Sequence, residues 1–205
     1  MSNRTRIYVV DDDASMRRSL TVLLEAHGFR VDTFASAGEF LSFKHAGGSS
    51  CCLLDVFLPD MNGPTLQEAM SARGLAIPIV FITGQGDIPM VVKAMKEGAV
   101  DFLPKPFTEA EILGALGRAI VKSKAQNTAA ARTAQIQRRI QTLSPMELEI
   151  FKLVATGLMS KQVASRRGVS LQTIKIQRSN VMRKMQAKTV TELIEFARQT
   201  GHIPS

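Results

Sequence analysis

Acidic residues stand directly after short apolar runs in the first half of the chain. Asp11, Asp12 and Asp13 follow the run 7–10, Asp55 follows 51–54, Thr83 closes 77–83, and Lys105 lies just past 101–103. Carboxylates converging on one point repel one another unless a hard cation sits among them, and Mg²⁺ takes oxygen ligands while keeping waters. A lysine and a hydroxyl beside such a cation suit a phosphoryl group, because phosphoryl transfer needs positioning and positive charge more than covalent chemistry.

The elements that must bring these residues together are legible in the pattern around them. Five short apolar runs, at 7–10, 31–34, 51–54, 77–83 and 101–103, alternate with helical stretches. Continuous rather than alternating apolarity predicts five buried parallel strands, with helices covering both faces of the sheet. In such a sheet ligands bind where the carboxyl ends of the strands open into loops, which is where the polar residues lie. Ser36-Ala37-Gly38-Glu39 and Thr108-Glu109-Ala110-Glu111 each place a hydroxyl three residues ahead of a carboxylate, the signature of a helix start.

Composition shifts after residue 121. Residues 122–140 are rich in Ala, Gln, Arg and Thr, with no Gly or Pro; the helical spacing of Ile136, Ile140 and Leu143 predicts a partly helical linker. From 141 to 205 the strand signal is gone. Ser144-Pro145-Met146-Glu147 opens a helix whose apolar face carries Leu148, Phe151 and Ala155, and Gly157 ends it. A short helix from about 160 to 167, a turn at Gly168, a third helix over 171–186 capped by Ser170, and a fourth opened by Thr189 complete a helix-turn-helix pattern. The expected organisation is therefore an α/β domain over 1–121, a linker over 122–140 and an all-α domain over 141–205.

Charge divides in the same place. Residues 1–121 hold 11 Lys and Arg against 14 Asp and Glu, a net −3, whereas 122–205 hold 15 against 4, a net +11. Between Lys161 and Lys188 there are eight basic residues and no acid, the electrostatic footprint of a nucleic-acid-binding face. On a wheel of 171–186, Leu171, Ile174, Val181, Met182 and Met185 fall on one side, while Gln172, Lys175, Ile176, Ser179 and Arg183 fall on the other, free to enter a major groove. Arg178 falls on the inward side and reads as structural. Cys51 and Cys52 are adjacent inside an apolar run, which suits buried hydrophobes in a reduced cytosol and neither a useful disulfide nor a metal site. Residues 1–6 lack the apolar stretch of a signal peptide and no later run reaches membrane-spanning length, so a cytoplasmic location without membrane contact is expected.

Val9-Val10-Asp11-Asp12, the run from Asp55 through Pro59 to Gly63, Ile82-Thr83-Gly84 and Lys105-Pro106-Phe107 together resemble the signature of receiver domains over about residues 5–121. The resemblance implies a flavodoxin-like fold in which Asp55 takes a phosphoryl group from a sensor histidine kinase. It further implies that Asp12, Asp55 and the backbone carbonyl of Phe57 hold Mg²⁺, with Asp11 acting through the water shell. Thr83 would follow the phosphoryl group with its hydroxyl, and Phe102, at the switch aromatic position, would swing inward behind it. Asp13 falls outside the family pattern and reads as a helix cap.

The second half resembles the LuxR-type helix-turn-helix of FixJ and NarL-like regulators, through Leu143-Ser144, Glu147, Gly157-Leu158, Lys161-Gln162-Val163-Ala164, Thr173-Ile174-Lys175 and Asn180 to Met185. With the phrase from Thr83 through Gln85-Gly86-Asp87 to Met90, the whole chain is most similar to the FixJ subgroup. That implies double-stranded DNA as a partner, with Lys175, Ile176 and Ser179 facing bases, Lys161 and Arg183 on phosphates, and Gln172 and Thr173 completing the contacts. It also implies a homodimer once phosphorylated. The chain would then be no enzyme beyond its own phosphorylation and dephosphorylation. A phosphorylation-switched module that binds a protein instead of DNA is the alternative. A haloacid-dehalogenase-like phosphatase, suggested by the acid spacing within Asp11-Asp12-Asp13, leaves Asp55 idle and lacks a downstream acidic pair.

Overall fold

The computed structural model describes residues 5–45, 47–84 and 88–204, the side chains of 88 and 89 excepted. Residues 1–4 and Gln85-Gly86-Asp87 of the phrase above lie outside them. The chain divides into two compact units, Met1–Asn127 and Thr128–Ser205.

The first unit is a parallel sheet of five strands, β1 (Arg6–Val10), β2 (Arg30–Phe34), β3 (Ser50–Asp55), β4 (Ile79–Thr83) and β5 (Asp101–Pro104), in the order β2-β1-β3-β4-β5. The helices between them are α1 (Ala14–Ala26), α2 (Ala37–Ser42), α3 (Gly63–Ala72) and α4 (Ile88–Lys96), followed by α5 (Glu109–Gln141). Strand residues alternate between two cores because successive side chains point to opposite faces. Ile7, Val9, Cys51 and Leu53 pack with Leu20 and Leu24 of α1 and Ile112 and Leu116 of α5. Tyr8, Val10, Cys52 and Leu54 pack with Phe40 of α2, Leu66 and Met70 of α3 and Ala94 of α4. The expectation of five buried strands holds for β3 and β4 throughout and for all but the first residue of β1, whereas β2 and β5 are partly exposed. These two are the edges of the sheet, and one neighbour cannot cover both flanks. β4 also starts two residues later than its apolar run suggests.

Both cysteines are free and buried in β3. Burial pushes the Cys51 thiol up to about 12.

The second unit holds α6 (Pro145–Ala155), α7 (Ser160–Arg167), α8 (Leu171–Met185) and α9 (Val190–Gln199). Ser144 caps α6 in a full capping box with Glu147, and Ser170 and Thr189 cap α8 and α9 by accepting from Thr173 and Glu192 N–H groups. Gly168 closes α7 with φ 65°, a left-handed conformation that a Cβ would oppose. Ile150, Phe151, Val163, Ile174, Val181, Leu193 and Phe196 form the core, joined by Ile136 and Ile140 of α5. α5 runs unbroken through the segment expected to be partly helical, whose Ala, Gln and Arg are good helix formers.

Candidate functional site

Asp11, Asp55, Thr83 and Lys105 come together at the carboxyl ends of β1, β3, β4 and β5. Asp11 is 1% exposed, Asp55 6% and Thr83 2%. The Lys105 ammonium bridges two carboxylates, donating to Asp11 Oδ2 at 2.8 Å and to Asp55 Oδ2 at 2.5 Å. The other oxygen of Asp55 accepts from the Phe57 N–H at 3.0 Å. Burial raises the Asp11 pKa above its ordinary value, outweighing the pull of Lys105. The same burial works against the Lys105 charge, but hydrogen bonds and Coulombic attraction from Asp11 and Asp55 win and raise its pKa.

The loops are held from below. Gly63, the first residue of α3, packs so closely that a Cβ would stand 2.7 Å from Phe81 Cε1 and 2.9 Å from the Asp55 carbonyl oxygen. Its N–H donates to the Val56 carbonyl at 2.8 Å, tying α3 to the end of β3. Arg17 of α1 donates to the carbonyls of Asp11 (2.7 Å) and Asp12 (2.9 Å), fixing the acidic loop through its backbone. Asp13 caps α1 by accepting from Ser15 N–H, as its demotion from the acidic set implied. Asp60 accepts from Ala37 and Gly38 at the start of α2; desolvation raises its pKa, but these donors, with the backbone N–H groups of Asp60 and Met61, together hold its carboxyl below the usual value. The sequence reading gave Arg17 and Asp60 no such roles, because bonds to distant backbone atoms leave no local pattern.

One carboxylate oxygen from each of Asp11, Asp12 and Asp55 lies within 4.8 Å of the others. Three carboxylates gathered this closely make an all-oxygen donor set of the kind a hard cation such as Mg²⁺ takes. Phe102 sits on β5 opposite Phe81 of β4, with 41% of its surface exposed. It is therefore outward, neither part of the core nor behind Thr83.

In the second unit the outward stripe of α8 is exposed as the wheel predicts. Gln172, Thr173, Lys175, Ile176, Ser179 and Arg183 all face solvent, as does Lys161 of α7, and Ile176 is 52% exposed. Leu171 is a correction: placed on the inward side, it is 41% exposed, since the first residue of a helix has no preceding turn to cover it. The eight basic residues between Lys161 and Lys188 do not form one class. Lys184 donates to buried Glu147 at 2.6 Å and to the Thr142 carbonyl at 3.1 Å. Arg167 pairs with Glu149, and Arg178 donates to Ser160 Oγ at 3.2 Å. These three brace the fold, while Lys161, Arg166, Lys175, Arg183 and Lys188 remain exposed.

A doubly wound sheet with an acidic, lysine-bridged mouth, followed by a helix-turn-helix unit with a basic outer helix, defines a two-module regulator with separate input and DNA-binding parts. Residues 7–117 match the response regulator receiver domain, and residues 141–197 match the bacterial regulatory proteins of the luxR family. The chain is 45% identical over 200 residues to Nodulation protein W of Bradyrhizobium diazoefficiens, covering 98% of this chain and 88% of that protein. It is 38% identical over 201 residues to the transcriptional regulatory protein FixJ of the same organism, covering 98% of each. The structure of the response regulator StyR superposes with a TM-score of 0.79 at 38% identity, covering 96% of this chain and 99% of that one. The chain belongs to the two-component response regulators that join a receiver domain to a LuxR-type DNA-binding domain, a family of transcription factors rather than metabolic enzymes. Among the described residues no helix is long and apolar enough to cross a membrane.

Proposed function

We propose that Asp55 is the phosphoacceptor of this regulator, with Lys105 and Thr83 as its partners, and that its state governs DNA binding by α8. The observation that carries the reading is the setting of Asp55, a nearly covered carboxylate at a strand end, bonded on one oxygen by a backbone N–H and on the other by Lys105. A carboxylate oxygen of Asp55 attacks the phosphorus of a phosphohistidine on the sensor kinase. The P–O bond forms, the P–N bond breaks, and the imidazole leaves with its electron pair. Mg²⁺, held by Asp12, Asp55 and the Phe57 carbonyl with Asp11 through water, would neutralise the oxygens of the transferring group. Lys105 then turns its ammonium to a phosphoryl oxygen, Thr83 donates its hydroxyl to another, and Phe102 moves from its outward position into the space behind Thr83. A local change of charge thereby biases a two-state element.

In this reading residues 1–121 form the receiver, 122–140 the linker and 141–205 the DNA-binding domain, working in the cytoplasm. Lys175, Ile176 and Ser179 read bases, with Gln172 and Thr173 beside them, and Lys161 and Arg183 grip phosphates. Phosphorylation pairs two copies through the receiver surface around residues 88–120, where Val92 and Met95 of α4 and Phe102 of β5 are exposed. Light scattering with and without a phosphodonor checks this pairing; equal mass across a wide concentration range would sink it.

The central test is labelling by a small phosphodonor, followed by mass spectrometry. Asp55→Asn should abolish labelling, and chelation of Mg²⁺ should abolish it in the unaltered chain. Labelling that survives in Asp55→Asn but is lost in Asp11→Asn would overturn the assignment and revive a first-strand nucleophile.

A further inference from the structure

No acid occurs between Glu111 and Glu147, a stretch that holds Arg118, Lys122, Lys124, Arg132, Arg138 and Arg139. Arg132, Gln135 and Arg139 recur on α5 at steps of three and four residues, with Thr142 just past its end, so they share one stripe, with Arg138 at its edge. This stripe is not the one that packs the second core, which uses Ile136 and Ile140. It lines a groove of roughly 660 Å³ together with Gln186, the residue that ends α8. Arg139 is committed to the fold, donating to the Met185 carbonyl at 3.1 Å. Arg132 and Arg138 are exposed, and no described carboxylate pairs with either.

We propose that this groove binds the sugar–phosphate backbone of duplex DNA flanking the stretch read by α8, with Arg132 and Arg138 as phosphate contacts. The inference rests on the reading of α8 as the DNA-reading helix. Guanidinium forks match phosphate oxygens bidentately, and carboxamides and hydroxyls in the walls add neutral donors to a lining that holds no anion. DNA is favoured over a free nucleotide because the groove is continuous with the end of α8, so a duplex on α8 already brings phosphates to it. α5 would then supply affinity without sequence information, since contacts to phosphate position a protein and carry no code.

The test uses the full chain, treated with a phosphodonor, and a duplex that the unaltered chain selects from random sequence, either trimmed to the selected core or extended by a helical turn at each end. Arg132→Gln with Arg138→Gln should lower the slope of log affinity against log salt by about two units on the extended duplex, one per lost phosphate contact. The trimmed duplex should show no change, and Arg132→Lys with Arg138→Lys should restore most of the slope. Circular dichroism confirms that α5 stays helical, as glutamine in an exposed helix allows. An unchanged slope on the extended duplex, while the chain still prefers the selected sequence to a scrambled one, overturns the groove and leaves the reading of α8 intact. Equal losses on both duplexes also overturn it, as does saturable binding of adenosine triphosphate that the variant loses while keeping its DNA slope. No preference for the selected duplex would remove α8 and the groove together.

Discussion

In the N-terminal unit the charges of the candidate site are buried and matched: Asp11 and Asp55 are almost covered and share one lysine. In the C-terminal unit the corresponding charges are exposed, and those that are matched, such as Lys184 with Glu147, belong to the scaffold. The contrast follows from what each unit has to meet. A phosphoryl group is small and must be enclosed, so the receiver carries its charges inside and holds them ready. A duplex is large and already charged, so a reading helix leaves its cations in water until the partner arrives. A buried charge is costly unless paired, so its partners reveal a site, whereas exposed lysines and arginines resemble any solvated surface.

Three experiments would break or sharpen this contrast. The largest effect is expected at the buried pair of the second unit. Lys184→Met leaves the nearly covered Glu147 carboxylate with Ser144 as its remaining partner, and should cost about 2–3 kcal/mol. Hydrogen exchange across α6 and α8 reads that loss, and unchanged protection would mean the pair is ornamental. The hydrogen bond from Lys184, with the Ser144 N–H, holds the Glu147 pKa below the ordinary glutamate value of 4.5. Its folded pKa is depressed, so its contribution is present above that value and lost as pH falls through the folded one. Acid unfolding of the second unit should therefore begin at higher pH in Lys184→Met than in the unaltered chain.

A smaller effect is expected from Gly63→Ala. The added Cβ collides with Phe81 and with the Asp55 backbone, so α3 must shift, at about 1–2 kcal/mol for the overpacking. Because the displaced atoms include the carbonyl of Asp55, phosphodonor labelling should slow as well. Loss of stability with an unchanged labelling rate would show that the acidic mouth is insulated from its floor.

The smallest effects separate base contacts from phosphate contacts on α8. Ile176→Ala should cost about 1 kcal/mol on the preferred duplex and little on scrambled DNA, while Arg183→Ala should weaken both and lower the salt slope by about one unit. Titrations over a salt series decide it. If both variants lose the same fraction on both duplexes, the division of roles fails.

Much of this was legible in the sequence where local chemistry decides. Apolar runs announced the strands, and the hydroxyl-to-carboxylate spacings at Thr108, Ser144 and Thr189 all became helix caps. The acids at strand ends found one another because a parallel sheet leaves them no other place to meet. What stayed hidden depends on neighbours far along the chain. Edge position opened β2 and β5, and helix entry left Leu171 uncovered. Lys184 reads as one more member of a basic run until Glu147, 37 residues earlier, is seen beneath it.

Cys51 and Cys52 make a timer of the helices that cover the central strand. Burial holds the Cys51 thiol protonated, with its pKa pushed up to about 12, and also keeps it out of reach of a reagent. Alkylation must wait until the helices packed over β3 lift from the sheet or the unit unfolds. The rate at which an added alkylating agent consumes these thiols therefore counts the uncoverings of the sheet faces on either side of the strand that ends in Asp55, without a dye, a tag or an introduced residue.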